Sequence, residues 1–92
     1  MSLILSQDQS FNFKSLITQL VELNYSKVAM VLDRGQFSVR GDVVDIFSAN
    51  HLLPIRLEFD LDIIIRIAFF SVHTQKTHEL ISEVVVDVFN SD

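Results

Sequence analysis

The sequence predicts an α+β fold, with one N-terminal helix packed on a mainly antiparallel, hairpin-rich β-sheet. Three observations carry that prediction. Apolar residues recur at helical spacing only between Phe13 and Leu23. Beyond Asn24 the hydrophobic period changes to two, and short β-branched or aromatic runs are separated by residues suited to turns. The length of 92 residues suits one domain, so residues 1–92 read as a single interaction domain and as a fragment of a larger protein.

In the helix, Phe13, Leu16, Ile17, Leu20 and Leu23 form one apolar face opposite Lys14, Ser15, Thr18, Gln19 and Glu22. Ser10 or Asn12 is placed to cap the first turn, and Asn24 stands where the chain must turn left-handed to leave the helix. Val28, Met30 and Leu32 then alternate with Lys27, Ala29 and Val31. Asp33-Arg34-Gly35 supplies a turn, and Phe37 and Val39 alternate with Ser38 and Arg40 on the return. The expectation is an antiparallel hairpin. Gly41 predicts a bulge or tight bend before a strand over 43–48. Residues 48–53 form a loop ended by Pro54, the only proline, at the start of a strand over 55–59. An Asp60-Leu61-Asp62 turn leads to a strand over 63–70, and a loop over 71–77 precedes a last strand over 81–89. This gives one helix and about six strands. Met1-Ser2-Leu3 reads as a cloning scar.

Composition narrows the function. Hydrophobic residues make up 49% of the chain, and mean hydropathy is +0.36, so some apolar side chains should remain outside as contact surface. Seven basic against twelve acidic residues give a net charge of -5 with no basic cluster, which disfavours direct nucleic-acid binding. The absence of cysteine removes thiolate metal sites and suits a cytoplasmic location. The first residues lack the basic and apolar regions of a signal peptide. The apolar run over 63–70 contains Arg66 and is under half the length of a membrane span.

Candidate chemistry is sparse. His51, His73 and His78 lack the spacing of a metal site, and no cofactor is expected. Glu58, Asp60 and Asp62 alternate, but the Gly and distal Glu of a calcium loop are missing, so they read as a solvated turn. A hydrolase using Asp60 and Asp62 has neither nucleophile nor metal spacing. Arg40-Gly41-Asp42 falls between strands, not in an exposed loop of a secreted protein. Neither Gly35 nor Gly41 belongs to a phosphate-binding loop. Lys27, Phe37 and Arg40 make the sharper constellation. Two cations beside an aromatic ring on paired strands form a candidate protein-binding site, although a strand Phe is more often core.

The run Gly35-Gln36-Phe37-Ser38-Val39-Arg40-Gly41, continued by Asp45-Ile46-Phe47, Arg56-Leu57-Glu58-Phe59 and Thr74-Gln75-Lys76-Thr77, resembles a known module. It is similar to the second domain shared by bacterial transcription-repair coupling factor and the excinuclease component UvrB. The similarity covers residues 20–86, and the Thr-Gln-Lys-Thr segment looks more like the coupling factor. The resemblance implies a non-catalytic domain that docks onto the excinuclease component UvrA through basic and aromatic side chains, here Lys27, Phe37 and Arg40. In UvrB an arginine occupies the position of Ser38. The parent chain would be an ATP-driven DNA translocase, and its other domains are further partners. The family pattern Glu-Phe-Phe-Gly-Asp-Glu-Ile-Glu corresponds to Glu58-Phe59-Asp60-Leu61-Asp62-Ile63-Ile64-Ile65, so two acids become isoleucines. Strict alternation would put Ile63, Ile65, Ile67 and Phe69 on one side, and Ile64, Ala68 and Phe70 with Arg66 on the other. Such a strand needs cover from another domain, or a homodimer formed through Ile63–Phe70 as a sheet edge.

Overall fold

A computed structural model describes residues 1–90. The elements are β1 (Ser2–Ser6), α1 (Phe13–Glu22), β2 (Ser26–Lys27), β3 (Gln36–Arg40), β4 (Val43–Ile46), β5 (Ile55–Asp60), β6 (Ile63–Phe70), β7 (Thr77–Leu80) and β8 (Glu83–Asp87). Among the described residues, one helix and eight strands in mostly antiparallel pairing give the α+β class expected from the sequence.

The helix follows its sequence signals closely. The Asn12 side chain accepts a hydrogen bond from the Ser15 amide at 2.9 Å, satisfying one orphan donor of the first turn. The Asp62 carboxylate accepts another from the Phe13 amide at 3.1 Å. At the far end Asn24 adopts φ 73°. The Tyr25 amide reaches back to the Leu20 carbonyl and the Asn24 amide to the Val21 carbonyl, both at 3.0 Å, the paired bonds of a Schellman ending.

Six strands form one sheet in the order β2-β3-β4-β5-β6-β7, and β1 pairs with β8 in a separate antiparallel ribbon. The helix and the ribbon pack against one face of the sheet. Leu16 and Leu20 from the helix and Leu5 and Val86 from the ribbon meet Phe37, Ile46, Leu57 and Ile67 in a continuous core. Phe13 closes the open end edge-on to Phe59, with ring centroids 5.1 Å apart. Tyr25 fastens sheet to ribbon: its hydroxyl donates to the Asp87 carbonyl at 2.6 Å and accepts from the Ala49 amide at 3.0 Å.

Several expectations change. Residues 28–32 do not return on 36–40 as an antiparallel hairpin. Only Ser26 and Lys27 are strand, and they pair with Gln36 and Phe37 in parallel. The reason lies in Gln36, whose side-chain carbonyl accepts from the amides of Leu32 and Asp33 and gathers the intervening residues into a compact loop. The first true hairpin is β3–β4. Arg40 pairs with Val43, so Gly41 and Asp42 are the whole connection, and Gly41 takes the φ of 57° that a tight turn of this kind requires. The first residues are part of the fold: β1 starts at Ser2, and Leu3 and Leu5 are core. Thr77–Leu80 forms a strand where the expected loop ends and residues 78–80 carried no assigned element, and the last strand is shorter, Glu83–Asp87.

The strand β6 also departs from simple alternation. Glu58 pairs with Arg66 and Phe59 with Ile64, so Ile65 has no opposite number and forms a bulge. The extra residue resets the phase, turning both Ile64 and Ile67 into the core and leaving Ile65 and Arg66 exposed. Nor is this strand a sheet edge. It pairs with β5 on one side, and with β7 and the segment around Asp8, Gln9 and Ser10 on the other. The expected edge at Ile63–Phe70 is thus an interior strand among the described residues, and edge pairing there would have to displace these neighbours.

Candidate protein-docking face

The side of the sheet away from the helix combines buried polar residues with the buried apolar Ala68 and Phe70. Ser38 on β3 lies opposite Asp45 on β4, which lies opposite Arg56 on β5 and then Ala68 on β6. Side chains directly opposite share a face, so this row runs across the middle of the sheet. Burying Asp45 requires compensation, because an unpaired carboxylate out of water is costly. Arg56 supplies most of it: its Nε donates to Asp45 Oδ1 at 2.8 Å and its Nη2 to Oδ2 at 3.0 Å, a bidentate pairing. Hydrogen bonding to Asp45 raises the Arg56 pKa above its ordinary value, against the opposing effect of burial, so this guanidinium stays charged.

Arg56 has two further attachments. Its guanidinium lies 4.3 Å from the centroid of the Phe70 ring. It also donates to the Gln75 backbone carbonyl at 2.9 Å and to the Gln75 side-chain oxygen at 3.2 Å. Gln75 is in the left-handed region, φ 62°, at the tip of the turn formed by residues 71–76. The Thr74-Gln75-Lys76-Thr77 segment is thus tied to the centre of the face.

Arg40 completes the group. Its Nη2 donates to Asp45 Oδ2 at 3.2 Å, and its side chain is 56% exposed while that of Asp45 is 3% exposed. Met30, an exposed residue of the 28–34 loop, stands beside it along a concavity of about 220 Å³ that also includes Ser38, Arg56 and Gln75. An uncommitted guanidinium edge, an apolar neighbour and a rigid polar floor together make a surface suited to a protein partner.

The three residues expected to share a site are separated by the fold. Phe37 is fully buried in the core, opposite Ile46, and presents no ring to a partner. The physical reason is the pleat. Residues 37 and 40 differ by an odd number, so Phe37 and Arg40 point to opposite faces. Lys27 is exposed on β2 beside Phe37, about 10 Å along the strand direction from Arg40, and is at the sheet's edge. Met30 is the apolar residue that accompanies Arg40. Asp45 and Arg56 were visible in the sequence only as part of a pattern; their partnership depends on a cross-strand register.

Elsewhere, Glu58 pairs with Arg66 at 3.1 Å, so the alternating acids of the β5–β6 turn are divided between an ion pair and the helix N-terminus. His51 packs edge-on to Phe69 with ring centroids 5.7 Å apart, and its buried Nδ1 has no hydrogen-bond partner among the described residues. Burial lowers its pKa, with Asp87 opposing the shift.

Comparison with known proteins places these features in context. The family model described as "UvrB interaction domain" matches residues 3–89. The chain is 42% identical over 76 residues to a transcription-repair-coupling factor of Myxococcus xanthus, covering 83% of this chain and 6% of that protein. It is 49% identical over 59 residues to a UvrABC system protein B of Helicobacter pylori strain 26695, covering 63% of this chain and 9% of that protein. A UvrABC system protein B of Campylobacter fetus is 38% identical over 87 residues, covering 94% of this chain and 13% of that protein. The chain therefore spans a small part of the curated relatives that it matches.

Proposed function

This chain belongs to the UvrB interaction domain family, and on that premise we propose that it is a non-catalytic adaptor domain that docks onto the excinuclease component UvrA. Its setting is transcription-coupled nucleotide excision repair in the bacterial cytoplasm, within a transcription-repair coupling factor whose other domains supply ATP-driven translocation. The observation that carries this reading is Arg40, held by the buried Asp45 yet more than half exposed beside Met30. A partner carboxylate there would gain a charge-assisted hydrogen bond without reorganising the arginine. Lys27, at the sheet's edge, is a second contact that steers the encounter. The core position of Phe37 removes it from the proposed contact.

The arrangement holds no catalytic constellation in this reading. The buried charges are engaged with each other, and Asp45 and Arg56 serve as a frame. Among the described residues no helix is long and apolar enough to cross a membrane, and binding to nucleic acid is not proposed for a chain of net charge -5. Titration of UvrA with wild type and Arg40→Ala tests the proposal: saturable binding weakened by the substitution supports it.

Identity to UvrABC system protein B over 59 residues favours a second reading, the equivalent domain of UvrB. The Thr74-Gln75-Lys76-Thr77 segment, which resembles the coupling factor's pattern, is the ground for the first reading. Mass determination of the native parent protein separates the two, because the matched segment is 6% of one relative and 9% of the other.

A further inference from the structure

The loop over 48–53 is held from several sides, and one of its contacts substitutes for a missing strand. The ladder between β1 and β8 runs through Val84 and Val86 and is extended by Ser82 and Val88, so Val85 and Asp87 turn their backbone groups to the outer edge of β8. The Asn50 side chain covers that edge. Its Nδ2 donates to the Val85 carbonyl at 3.2 Å, and its Oδ1 accepts from the Asp87 amide at 3.4 Å. The next residue, His51, accepts from Arg34 Nε at its carbonyl at 2.8 Å and sets its ring against Phe69 of β6. Beside the ring lies a cavity of about 330 Å³, lined by Asn50, His51, Leu52, Leu53, Phe69 and Glu79.

The protonation state of His51 decides whether this packing can be kept. Its Nδ1 is buried and without a hydrogen-bond partner among the described residues. A neutral imidazole tolerates that, because it can hold its proton on Nε2 and leave Nδ1 a bare lone pair. An imidazolium cannot: Nδ1 then carries an N–H and part of a positive charge where no acceptor stands. The surrounding charges do not compensate. Asp87 on β8 attracts the cation, but the ion pairs among the described residues join other groups. Glu79 on β7 lines the same cavity but is exposed. Arg34, reaching in from the 28–34 loop, opposes a second positive charge. The loop itself brings no charged residue besides His51.

We propose that His51 is a proton-operated latch on the 48–53 loop: when it takes up a proton its ring leaves Phe69, and the adjacent Asn50 side chain is drawn off the edge of β8. The released state bares the Val85 carbonyl and the Asp87 amide and widens the cavity, while helix and sheet stay folded. Such an opening is local rather than global. It involves none of the residues of the Arg40 face and is independent of what that face binds.

The test is NMR of the isotopically labelled chain, from about pH 8 down to acid unfolding. The His51 imidazole and the amides of Asn50, Val85 and Asp87 are followed together with their exchange protection. These amides should shift with the midpoint of the imidazole, and the protection factor of Asp87 should fall about tenfold or more across it, with Leu16 and Leu20 unchanged. His51→Phe keeps a ring on Phe69 but takes up no proton, so the response should vanish. Asn50→Ala keeps His51 and removes the cover, so Asp87 should show the low protection at every pH. Protection of Asp87 that is unchanged as His51 titrates, a response retained in folded His51→Phe, or full protection of Asp87 in Asn50→Ala would overturn the proposal. So would an imidazole that takes up its proton only as Leu16 and Leu20 lose protection, because the event would then be unfolding of the whole domain.

Discussion

Gly35 and Phe89 are in direct opposition: a Cβ built on Gly35 would lie 2.6 Å from Phe89 Cε2, closer than real side chains approach. The glycine also holds φ 86°, with its amide bonded to the Phe47 carbonyl and its carbonyl to the Ser26 amide, both at 2.9 Å. Neither the backbone nor the ring can yield freely. Gly35→Ala should therefore cost about 2–4 kcal/mol, from overpacking added to left-handed strain. Gly41 has φ 57° but open space around it, so Gly41→Ala should cost only about 1–2 kcal/mol. Urea denaturation of both variants checks the ranking; equal costs would mean that the Phe89 contact carries no weight.

Leu61 has the opposite problem. It adopts φ 55° in the β5–β6 turn while 86% of its surface is exposed. Leu61→Gly relieves strain and loses little burial, and the added unfolded-state entropy of glycine offsets only part of the gain. A rise of about 1 kcal/mol is expected, seen as a higher urea midpoint with an unchanged slope. A fall in the midpoint would show that the leucine packs in a way that its exposure does not indicate.

Arg56 and Arg40 both contact Asp45 but should differ greatly in stability effect. Arg56→Ala leaves the buried carboxylate with one exposed partner and releases Phe70 and the Gln75 turn, a loss of about 3 kcal/mol or more. Arg56→Lys keeps the charge without the bidentate fork and should recover only part of this. Arg40, with its side chain mostly in solvent, should cost under about 1 kcal/mol when replaced by Ala. Thermal melts of the three variants would contradict this picture if the two alanine substitutions were equally destabilising.

His51 gives a pH signature. Its folded pKa is lowered from the ordinary value of 6.5 by burial, so below that pH the unfolded chain takes up a proton that the native state resists. Its contribution to stability is present above pH 6.5 and is lost as pH falls toward the lower folded value. His51→Gln should flatten the stability profile in that acidic window. Parallel profiles for wild type and variant would show that another group governs it.

Much of this architecture was legible because two physical periods are so distinct. The 3.6-residue spacing of Leu16, Leu20 and Leu23 allows only one buried face, and Asn24 marks the left-handed exit that the structure contains. What failed were features fixed at long range. Leu3 and Leu5 alternate as a strand should, but their partners Val84 and Val86 are some 80 residues away and nothing local announces them. The Ile65 bulge is set by register against Glu58 and Phe59, not by β6 itself. Period two places Phe37 and Arg40 on opposite faces but cannot say which face is covered. That is why Arg40 was recognisable as a surface residue of the candidate site, whereas Phe37 proved to be core and Asp45, Arg56 and Met30 were overlooked.

The central claim is that Arg40 anchors the docking of this domain onto UvrA. Calorimetric titration of UvrA with the wild-type chain and with Arg40→Ala tests it most directly. The account predicts saturable binding by wild type and a loss of about 1–3 kcal/mol in the variant, roughly 5- to 150-fold in Kd. Absence of binding by the folded wild type, or equal affinity for the two chains, would contradict it.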